Sequence, residues 1–143
     1  MIRVRHLLES KKSLLCTIGP DAPVLEAVRA MAAHGVGALL VMSGTTLKGI
    51  VSERDYARKV VLQGRASADT PVSQIMSSPV LTVSPEATAQ HCMVLMTERR
   101  IRHLPVVEED GRVIGVVSIG DLVKSVIEDQ QRTIEQLETY IHG

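Results

Sequence analysis

Hydrophobic positions along this chain follow two rhythms, one typical of helices and the other typical of strands. Over residues 14–64 they predict a strand, a helix, two antiparallel strands joined by a tight turn, and a second helix. Asp21 is predicted to cap the first helix, Pro23 to lie in its first turn, and Gly35 to end it. Ser52 is predicted to cap the second helix. The predicted strands cover residues 14–18, 38–42 and 47–51.

The same order of elements recurs in the second half of the chain. Thr17-Ile18-Gly19-Pro20 matches Thr82-Val83-Ser84-Pro85, and Ser84 is predicted to cap the helix that follows. A repeat of this length predicts two related units rather than one continuous domain. The predicted boundaries are an N-terminal segment at 1–13, a first domain at 14–64, a linker at 65–74, a second domain at 75–128 and a C-terminal helical extension at 129–143.

Each repeat carries the same chemical motif where a strand meets a helix. Gly49-Ile50-Val51-Ser52-Glu53-Arg54-Asp55 recurs as Gly115-Val116-Val117-Ser118-Ile119-Gly120-Asp121. A serine hydroxyl at a helix N-terminus suits a phosphate, and a carboxylate one turn on can accept two hydrogen bonds from a sugar diol. The alternative is plain capping with a first-turn acid that favours the helix dipole, a contribution of about 0.3–1 kcal/mol. The doubled motif favours two related nucleotide sites.

Composition narrows the function classes. The chain has 143 residues, 45% of them hydrophobic, with no Phe or Trp and a formal net charge of zero. Absence of a basic surface and of aromatic platforms argues against broad nucleic-acid binding. No apolar run reaches the length of a membrane span, and the N-terminus lacks the apolar core of a secretory signal, so a cytoplasmic protein is expected. Cys16 and Cys92 are expected to be small hydrophobes, and no zinc-ligand spacing predicts a metal site.

The last helix is predicted to run on past the second repeat. Its apolar residues follow a four-three rhythm that is typical of a packed helix seam, with polar Gln130 in one position. Two interpretations stay open: a helix docked on its own domain, and a seam between subunits. The apolar positions are Val123, Ile127, Ile134, Leu137 and Ile141.

These features together resemble a tandem pair of cystathionine β-synthase (CBS) domains, called a Bateman module. The resemblance rests on the order of elements, on the doubled Gly-x-x-Ser-x-x-Asp and on the stretch Ile101-Arg102-His103-Leu104-Pro105-Val106-Val107, and it covers roughly residues 14–127. The stretches 51–59 and 133–138 are similar to those of stand-alone two-domain proteins of bacteria, and plant organellar relatives are similar too.

The resemblance implies a fold, a ligand class and an assembly. The fold class is α/β (α+β), with two CBS-domain αβ units related by a pseudo-twofold axis and a cleft at each end of their interface. The ligands are adenine nucleotides such as AMP, ADP, ATP or NAD(H), which change the shape or the partners of the module. The assembly is a homodimer of two modules. No catalytic cofactor is implied.

The site residues follow from the motif and from this resemblance. Asp55 and Asp121 are expected to bind ribose, while Ser52, Ser118, Arg102 and His103 are expected to contact phosphate. The first repeat has Gly37 and Ala38 where the second has Arg102 and His103, and Glu53 and Arg54 where the second has Ile119 and Gly120, so two unequal sites are expected. Arg54 could also serve a phosphate, although Glu53 beside it would repel one unless it points away, and Gly120 takes the position of Arg54 in the second site. The expected adenine-lining residues are Thr17, Ile18, Val36, Gly37 and Ala38 in one pocket, and Thr82, Val83, Ile101, Leu104 and Pro105 in the other.

The predicted function is a non-catalytic regulatory module that reports energy or redox state to a separate, unknown protein. The sequence offers no nucleophile with a paired base and no dinucleotide or Walker loop. One alternative is a dimeric adaptor with vestigial ligand sites. Another is an enzyme with His103 as general acid or base, which the lack of a second catalytic group disfavours.

Overall fold

A computed structural model of the protein describes residues 2–11 and 15–142. The described residues form two compact units. The first unit contains residues 15–81, and the second unit contains residues 82–142 together with 2–11. None of the described helices is both long enough and apolar enough to cross a membrane.

The first unit is a three-stranded sheet with helices beside it. Its short first strand pairs parallel with the second, which pairs antiparallel with the third. Leu39, Val41 and Val51 of the sheet pack with Val24 and Met31 of the helix at Val24–His34 in a buried aliphatic core. The elements are β1 (Thr17–Ile18), α2 (Val24–His34), β2 (Ala38–Ser43), β3 (Thr46–Ser52), α3 (Glu53–Tyr56) continued by a π-helical turn (Ala57–Val61), and a 3₁₀ turn (Val72–Gln74).

The second unit repeats this arrangement with one strand fewer. Two antiparallel strands form its sheet, and Val83 makes a single parallel bridge to Val106 where the first unit has β1. Val106, Val117 and Leu122 are fully buried. The elements are α1 (Val4–Lys11), α4 (Ala89–Arg99), β4 (His103–Val107), β5 (Val113–Ser118) and α5 (Ile119–His142). The mixed α and β fold class predicted from the sequence is confirmed.

Most predicted elements are confirmed, but the first strand covers only Thr17–Ile18 instead of residues 14–18, and Leu14 lies outside the described part of the chain. Strands β2 and β3 lie where the sequence predicts them, and β4 and β5 repeat them in the second half of the chain. Gly35 ends α2 in the left-handed region with φ 63°. Ser52 caps α3 as predicted.

The predicted starts of two helices are wrong in the same way. Helix α2 begins at Val24 with Pro23 as an extended N-cap, and α4 begins at Ala89 with Thr88 as its N-cap. Asp21 and Ser84 therefore cap no helix; the Ser84 hydroxyl accepts the Glu86 N–H at 3.1 Å in a local turn instead. In both places the chain first makes a turn and then passes through one extended residue, Pro23 or Thr88, where another segment pairs with it along the backbone.

In the second unit, that pairing segment is residues 2–8. The Val4 N–H donates to the Ala87 carbonyl at 2.9 Å, and the Ala89 N–H donates to the Ile2 carbonyl at 2.9 Å. Val4 is fully buried. The N-terminus, for which the sequence analysis predicted no structure, is thus an integral part of the second unit.

In the first unit, residues 70–77 take the same place. The Val72 N–H donates to the Ala22 carbonyl at 2.9 Å, and the Val24 N–H donates to the Thr70 carbonyl at 2.8 Å. Val72 is fully buried, like Val4. Each of the two segments precedes one repeat in the sequence but packs in the unit of the other repeat. The stretch 65–74 that the sequence predicts as a linker therefore includes core residues of the first unit.

Helix α5 runs unbroken from Ile119 to His142, which confirms its predicted continuation. Leu122 and Ser125 of its first two turns are buried against the second unit. Every described residue from Gln130 onward is exposed. The interpretation of this extension as a helix docked on its own domain is therefore wrong for its last turns.

Candidate functional site

The serine and the aspartate of the first motif form one hydrogen-bonded cluster at the end of β3. The Asp55 N–H donates to the Ser52 hydroxyl at 3.2 Å, and the Ser52 N–H donates back to the Asp55 carboxylate at 2.9 Å. Lys59, one turn further on, lies 3.1 Å from the second carboxylate oxygen. The Asp55 side chain is only 13% exposed. This reciprocal capping fixes the carboxylate beside the helix start.

The second motif has the same geometry at the end of β5. The Asp121 N–H donates to the Ser118 hydroxyl at 3.1 Å, and the Ser118 N–H donates to the Asp121 carboxylate at 2.9 Å. A lysine again contacts the carboxylate. Lys11 Nζ donates to Asp121 Oδ2 at 2.8 Å and to the Val116 carbonyl at 3.0 Å. The Asp121 side chain is 27% exposed, twice as much as that of Asp55.

The pKa of Asp121 reflects these contacts. Burial alone would raise the pKa of this carboxyl, but the hydrogen bonds from Lys11 and from Ser118, together with the positive charge of Lys11, outweigh it. The pKa of Asp121 is therefore lowered from its ordinary value. Asp121 is a carboxylate at neutral pH and is available to accept hydrogen bonds.

The two lysines reach their aspartates from different parts of the chain. Lys59 comes from the turn after α3 and also donates to the Ile75 carbonyl at 2.9 Å. The matching position in the second repeat is Ser125, which is buried, so Lys11 of α1 supplies the ammonium there. Neither lysine was predicted from the sequence. Lys59 could have been found from its spacing of four residues after Asp55.

The starts of β2 and β4 lie directly beside these clusters, and only the second of them was expected to supply basic groups. The Glu53 N–H donates to the Gly37 carbonyl at 3.0 Å, and the Ile119 N–H donates to the Arg102 carbonyl at 2.9 Å. In the β-ladders Ala38 lies opposite Ser52, and His103 lies opposite Ser118. Each unit therefore brings its motif together with the strand start predicted to complete it.

The helix starts themselves offer a phosphate fewer donors than the sequence suggests. In α3 the N–H groups of Glu53 and Asp55 are already used, and in α5 those of Ile119 and Asp121 are used in the same way. Only part of the first turn thus remains for an anion. Charged side chains must supply most of the attraction for a phosphate.

The residues expected to line an adenine pocket differ in how far their side chains are exposed. Leu104 is fully buried, so that it can offer a ligand only its backbone. Gly120 has open space above its Cα, because an added Cβ would meet only the Ser118 hydroxyl at 3.7 Å. Thr17, Thr82, Arg54 and Arg102 are exposed; Val36, Gly37, Ala38, Ile101 and His103 are half-buried; Ile18, Val83 and Pro105 are buried.

Within residues 2–11 and 15–142, no group of three or more His, Cys, Asp or Glu side chains is placed to hold a metal ion. Cys92 is fully buried, and its burial raises the pKa of the thiol. Cys16 is half-buried. The prediction that Cys92 packs as a small hydrophobe is confirmed.

Comparison with known proteins agrees with this architecture. The mitochondrial CBS domain-containing protein CBSX3 of Arabidopsis thaliana is 44% identical over 135 residues, which are 91% of this chain and 64% of that protein. The chain thus spans somewhat less than two thirds of the length of this relative.

Solved structures give the same result. A CBS-domain protein of Burkholderia ambifaria, described as a signal-transduction protein, superposes with a TM-score of 0.84 at 48% identity, covering 90% of this chain and 96% of that one. A CBS domain protein of Pyrobaculum aerophilum complexed with AMP superposes with a TM-score of 0.75 at 29% identity, covering 84% and 89%.

The family model for the CBS domain matches twice, at residues 4–62 and 72–128. Both matches contain one complete Gly-x-x-Ser-x-x-Asp motif, and both begin in a segment that packs in the unit of the other repeat. The chain belongs to the CBS-domain family and carries a tandem pair of these domains.

Proposed function

We propose that this chain is a non-catalytic regulatory module that binds adenine nucleotides and signals energy or redox state to a separate protein. AMP, ADP, ATP and NAD(H) are the candidate ligands. The proposed contacts are the carboxylates of Asp55 and Asp121 with ribose, and the side chains of Ser52, Ser118, Arg102 and His103 with phosphate. A cytoplasmic location stays a prediction, and the Arabidopsis relative is mitochondrial.

The observation that supports this proposal best is that both units hold the aspartate carboxylate of the motif in a fixed position. In both units the serine N–H holds the aspartate at 2.9 Å while the backbone turns from strand to helix. A ribose diol needs an acceptor whose position is fixed before the ligand arrives, because ordering a loose side chain costs affinity. Reciprocal capping accounts for the geometry of both pairs, but the relative from Pyrobaculum that was solved with AMP supports a nucleoside ligand as well.

The differences between the two units support unequal sites. Asp55 accepts from both the N–H and the hydroxyl of Ser52 and is nearly covered, whereas Asp121 is more exposed. Arg102 and His103 stand beside Asp121, whereas Gly37 and Ala38 stand beside Asp55. We therefore expect the stronger phosphate attraction in the second unit.

The test is a binding and thermal-unfolding series with AMP, ADP, ATP, NAD, NADH and S-adenosylmethionine. A ligand at 100 times its Kd that binds only the folded chain should add ~2.7 kcal/mol of stability. The Asp121→Asn and Asp55→Asn variants keep a capping oxygen, so that a loss of binding reports the ligand contact. Asp129→Asn in α5 is the matched control.

A second comparison isolates the ribose contact. AMP should bind more tightly than 2′-deoxy-AMP to the wild type, and an aspartate variant should abolish that preference at its own site. A folded chain that gives no shift with any of these ligands would overturn the proposal and favour a dimeric adaptor with vestigial sites. Turnover of ATP or NAD by the pure protein would overturn the non-catalytic assignment.

A further inference from the structure

The exposed apolar stripe of α5 has no use in the nucleotide-binding proposal and does not depend on it. Its positions recur at alternating steps of four and three residues, and its apolar members are each between 39% and 73% exposed. We call this stripe the α5 seam: Val123, Ile127, Gln130, Ile134, Leu137 and Ile141. A stripe with this spacing is the surface that one helix presents to another in a coiled coil.

The last turns of α5 receive no support from the rest of the described chain. All described residues from Gln130 onward are exposed, so no core of either unit stabilises them. An isolated helix of this length is marginal in water even with favourable residues. The helix nevertheless continues to His142. Something that covers the seam therefore contributes to its stability in solution.

The seam is complementary to itself when two copies run in opposite directions. When the two antiparallel helices are aligned so that their midpoints lie at the level of Arg132, Val123 of one copy lies opposite Ile141 of the other. Ile127 then lies opposite Leu137. Gln130 then faces Ile134 rather than a second buried amide. Apolar residues fill the remaining layers on both sides of the centre, as an antiparallel two-helix seam requires.

Charge selects the antiparallel direction. Lys124 and Glu138 both directly follow a seam residue and flank the same side of the stripe. Antiparallel pairing brings Lys124 of each copy opposite Glu138 of the other, so that the opposite-charge pair forms twice. Parallel pairing would bring like residues level with each other and lose both pairs.

We infer that the C-terminal part of α5 pairs antiparallel with the same helix of a second copy of this chain. The occupant of the seam is therefore another α5, and the pairing is isologous, because the same surface serves both copies. The homodimer implied by the family resemblance acquires a specific contact and a direction for this chain.

Disulfide trapping in the full chain tests the direction. Ile127 and Leu137 are ten positions apart on α5, which corresponds to about 15 Å along the helix. In an antiparallel pair, I127C in one copy meets L137C in the other, whereas identical residues stay well beyond the roughly 7 Å that a disulfide spans between Cα atoms. Upon mild oxidation, an equimolar mixture should give a covalent dimer, and each variant alone should give little.

Two controls make the result decisive. Glu128→Cys mixed with L137C places one thiol outside the seam and should not cross-link, and the wild type reports any reaction of Cys16 and Cys92. Efficient cross-linking of I127C with itself would show a parallel pair and overturn the inference. Absence of the mixed disulfide would overturn it as well.

Charge reversal provides a second, independent readout. Lys124→Glu in the cysteine background should slow formation of the mixed disulfide roughly 3- to 30-fold, because two attractive pairs become repulsive. Adding Glu138→Lys should restore the rate. Arg132→Glu, which changes the charge on the outer face of the same helix, should leave the rate unchanged. Equal effects of both charge reversals would contradict the antiparallel register.

Discussion

At the scale of single residues, the two motif glycines are kept by different neighbours. A Cβ on Gly49 would lie 2.7 Å from Met76 Sδ and 2.8 Å from the Ser77 carbonyl oxygen. That carbonyl is fixed because it accepts the Ile50 N–H at 3.1 Å. A Cβ on Gly115 would instead meet the flexible end of the Leu8 side chain at 2.7 Å.

Gly49→Ala should therefore destabilise the protein by about 2–3 kcal/mol, and Gly115→Ala by about 1 kcal/mol, in line with the range for overpacked sites. Urea unfolding of both variants, followed by circular dichroism, checks this. An equal cost at the two positions would mean that the Ser77 backbone moves as easily as the Leu8 side chain.

Asp121 and Lys11 give stability a dependence on pH. The folded pKa of Asp121 lies below its ordinary value of 3.8, so the stabilisation is present at pH values above that and is lost as the pH falls through the folded pKa. Lys11→Met should cost about 0.5–1 kcal/mol at pH 7, and this difference from wild type should shrink towards pH 3.

Urea unfolding of the wild type and the Lys11→Met variant at pH 7, 5 and 3 measures this difference. The matched control is Lys48→Met, since Lys48 is an exposed lysine of β3 in the other unit. A penalty for Lys11→Met that stays constant from pH 7 to pH 3 would show that the hydrogen bond from Lys11 Nζ to the Val116 carbonyl, and not the ion pair with Asp121, stabilises the fold.

At the scale of elements, the ends of α2 and α4 show what a repeat predicts. Gly35 ends α2 at φ 63°, and Arg100 ends α4 in the same left-handed region at φ 55°. The first end is readable from the sequence because glycine favours this conformation, whereas arginine carries no such signal. The end of α4 at Arg100 is indicated only by the alignment of the two repeats, which matches Arg100 with Gly35.

Gly35→Ala should destabilise the protein by about 1 kcal/mol, because a side chain disfavours the left-handed conformation. An added Cβ would meet no atom within 4 Å at Gly35 or at Gly19. Gly19 does not have the left-handed φ of Gly35, so Gly19→Ala is the matched control and should change stability by less than about 0.5 kcal/mol. Thermal unfolding of the two variants compares them, and similar losses would remove the conformational explanation.

The helix starts were less predictable than the ends. Asp21 and Ser84 carry good capping side chains before a proline, yet α2 begins only three residues after Asp21 and α4 only five residues after Ser84. Backbone pairing with residues 70–72 and 2–4 holds the residue before each helix extended. A local capping signal cannot reveal a competitor that arrives from far away in the sequence.

At the scale of the whole molecule, the sequence predicts the repeat, the sheets and both serine–aspartate motifs because each depends on neighbouring residues. Residues 2–11 and 70–77 each precede one repeat but pack in the unit of the other repeat. This exchange of segments could not be predicted from neighbouring residues. A signal was present, since Val4-x-x-Leu7-Leu8 matches Val72-x-x-Ile75-Met76. Its short length hides it, and a match between the segments says nothing about which unit receives each one. Lys11 reaches Asp121 only because of this exchange.

The exchange predicts that damage appears far from the substitution in sequence. Val4→Ala should destabilise the second unit, and Val72→Ala the first, each by about 2–3 kcal/mol, since both valines are fully buried. Hydrogen exchange should then accelerate in β4, β5 and α4 for Val4→Ala, and in β2, β3 and α2 for Val72→Ala. Val94→Ala, at an exposed position of α4, should change neither pattern. Faster exchange in β2 and β3 upon Val4→Ala would mean that each segment packs with the repeat that follows it, and that Lys11 does not belong to the Asp121 site.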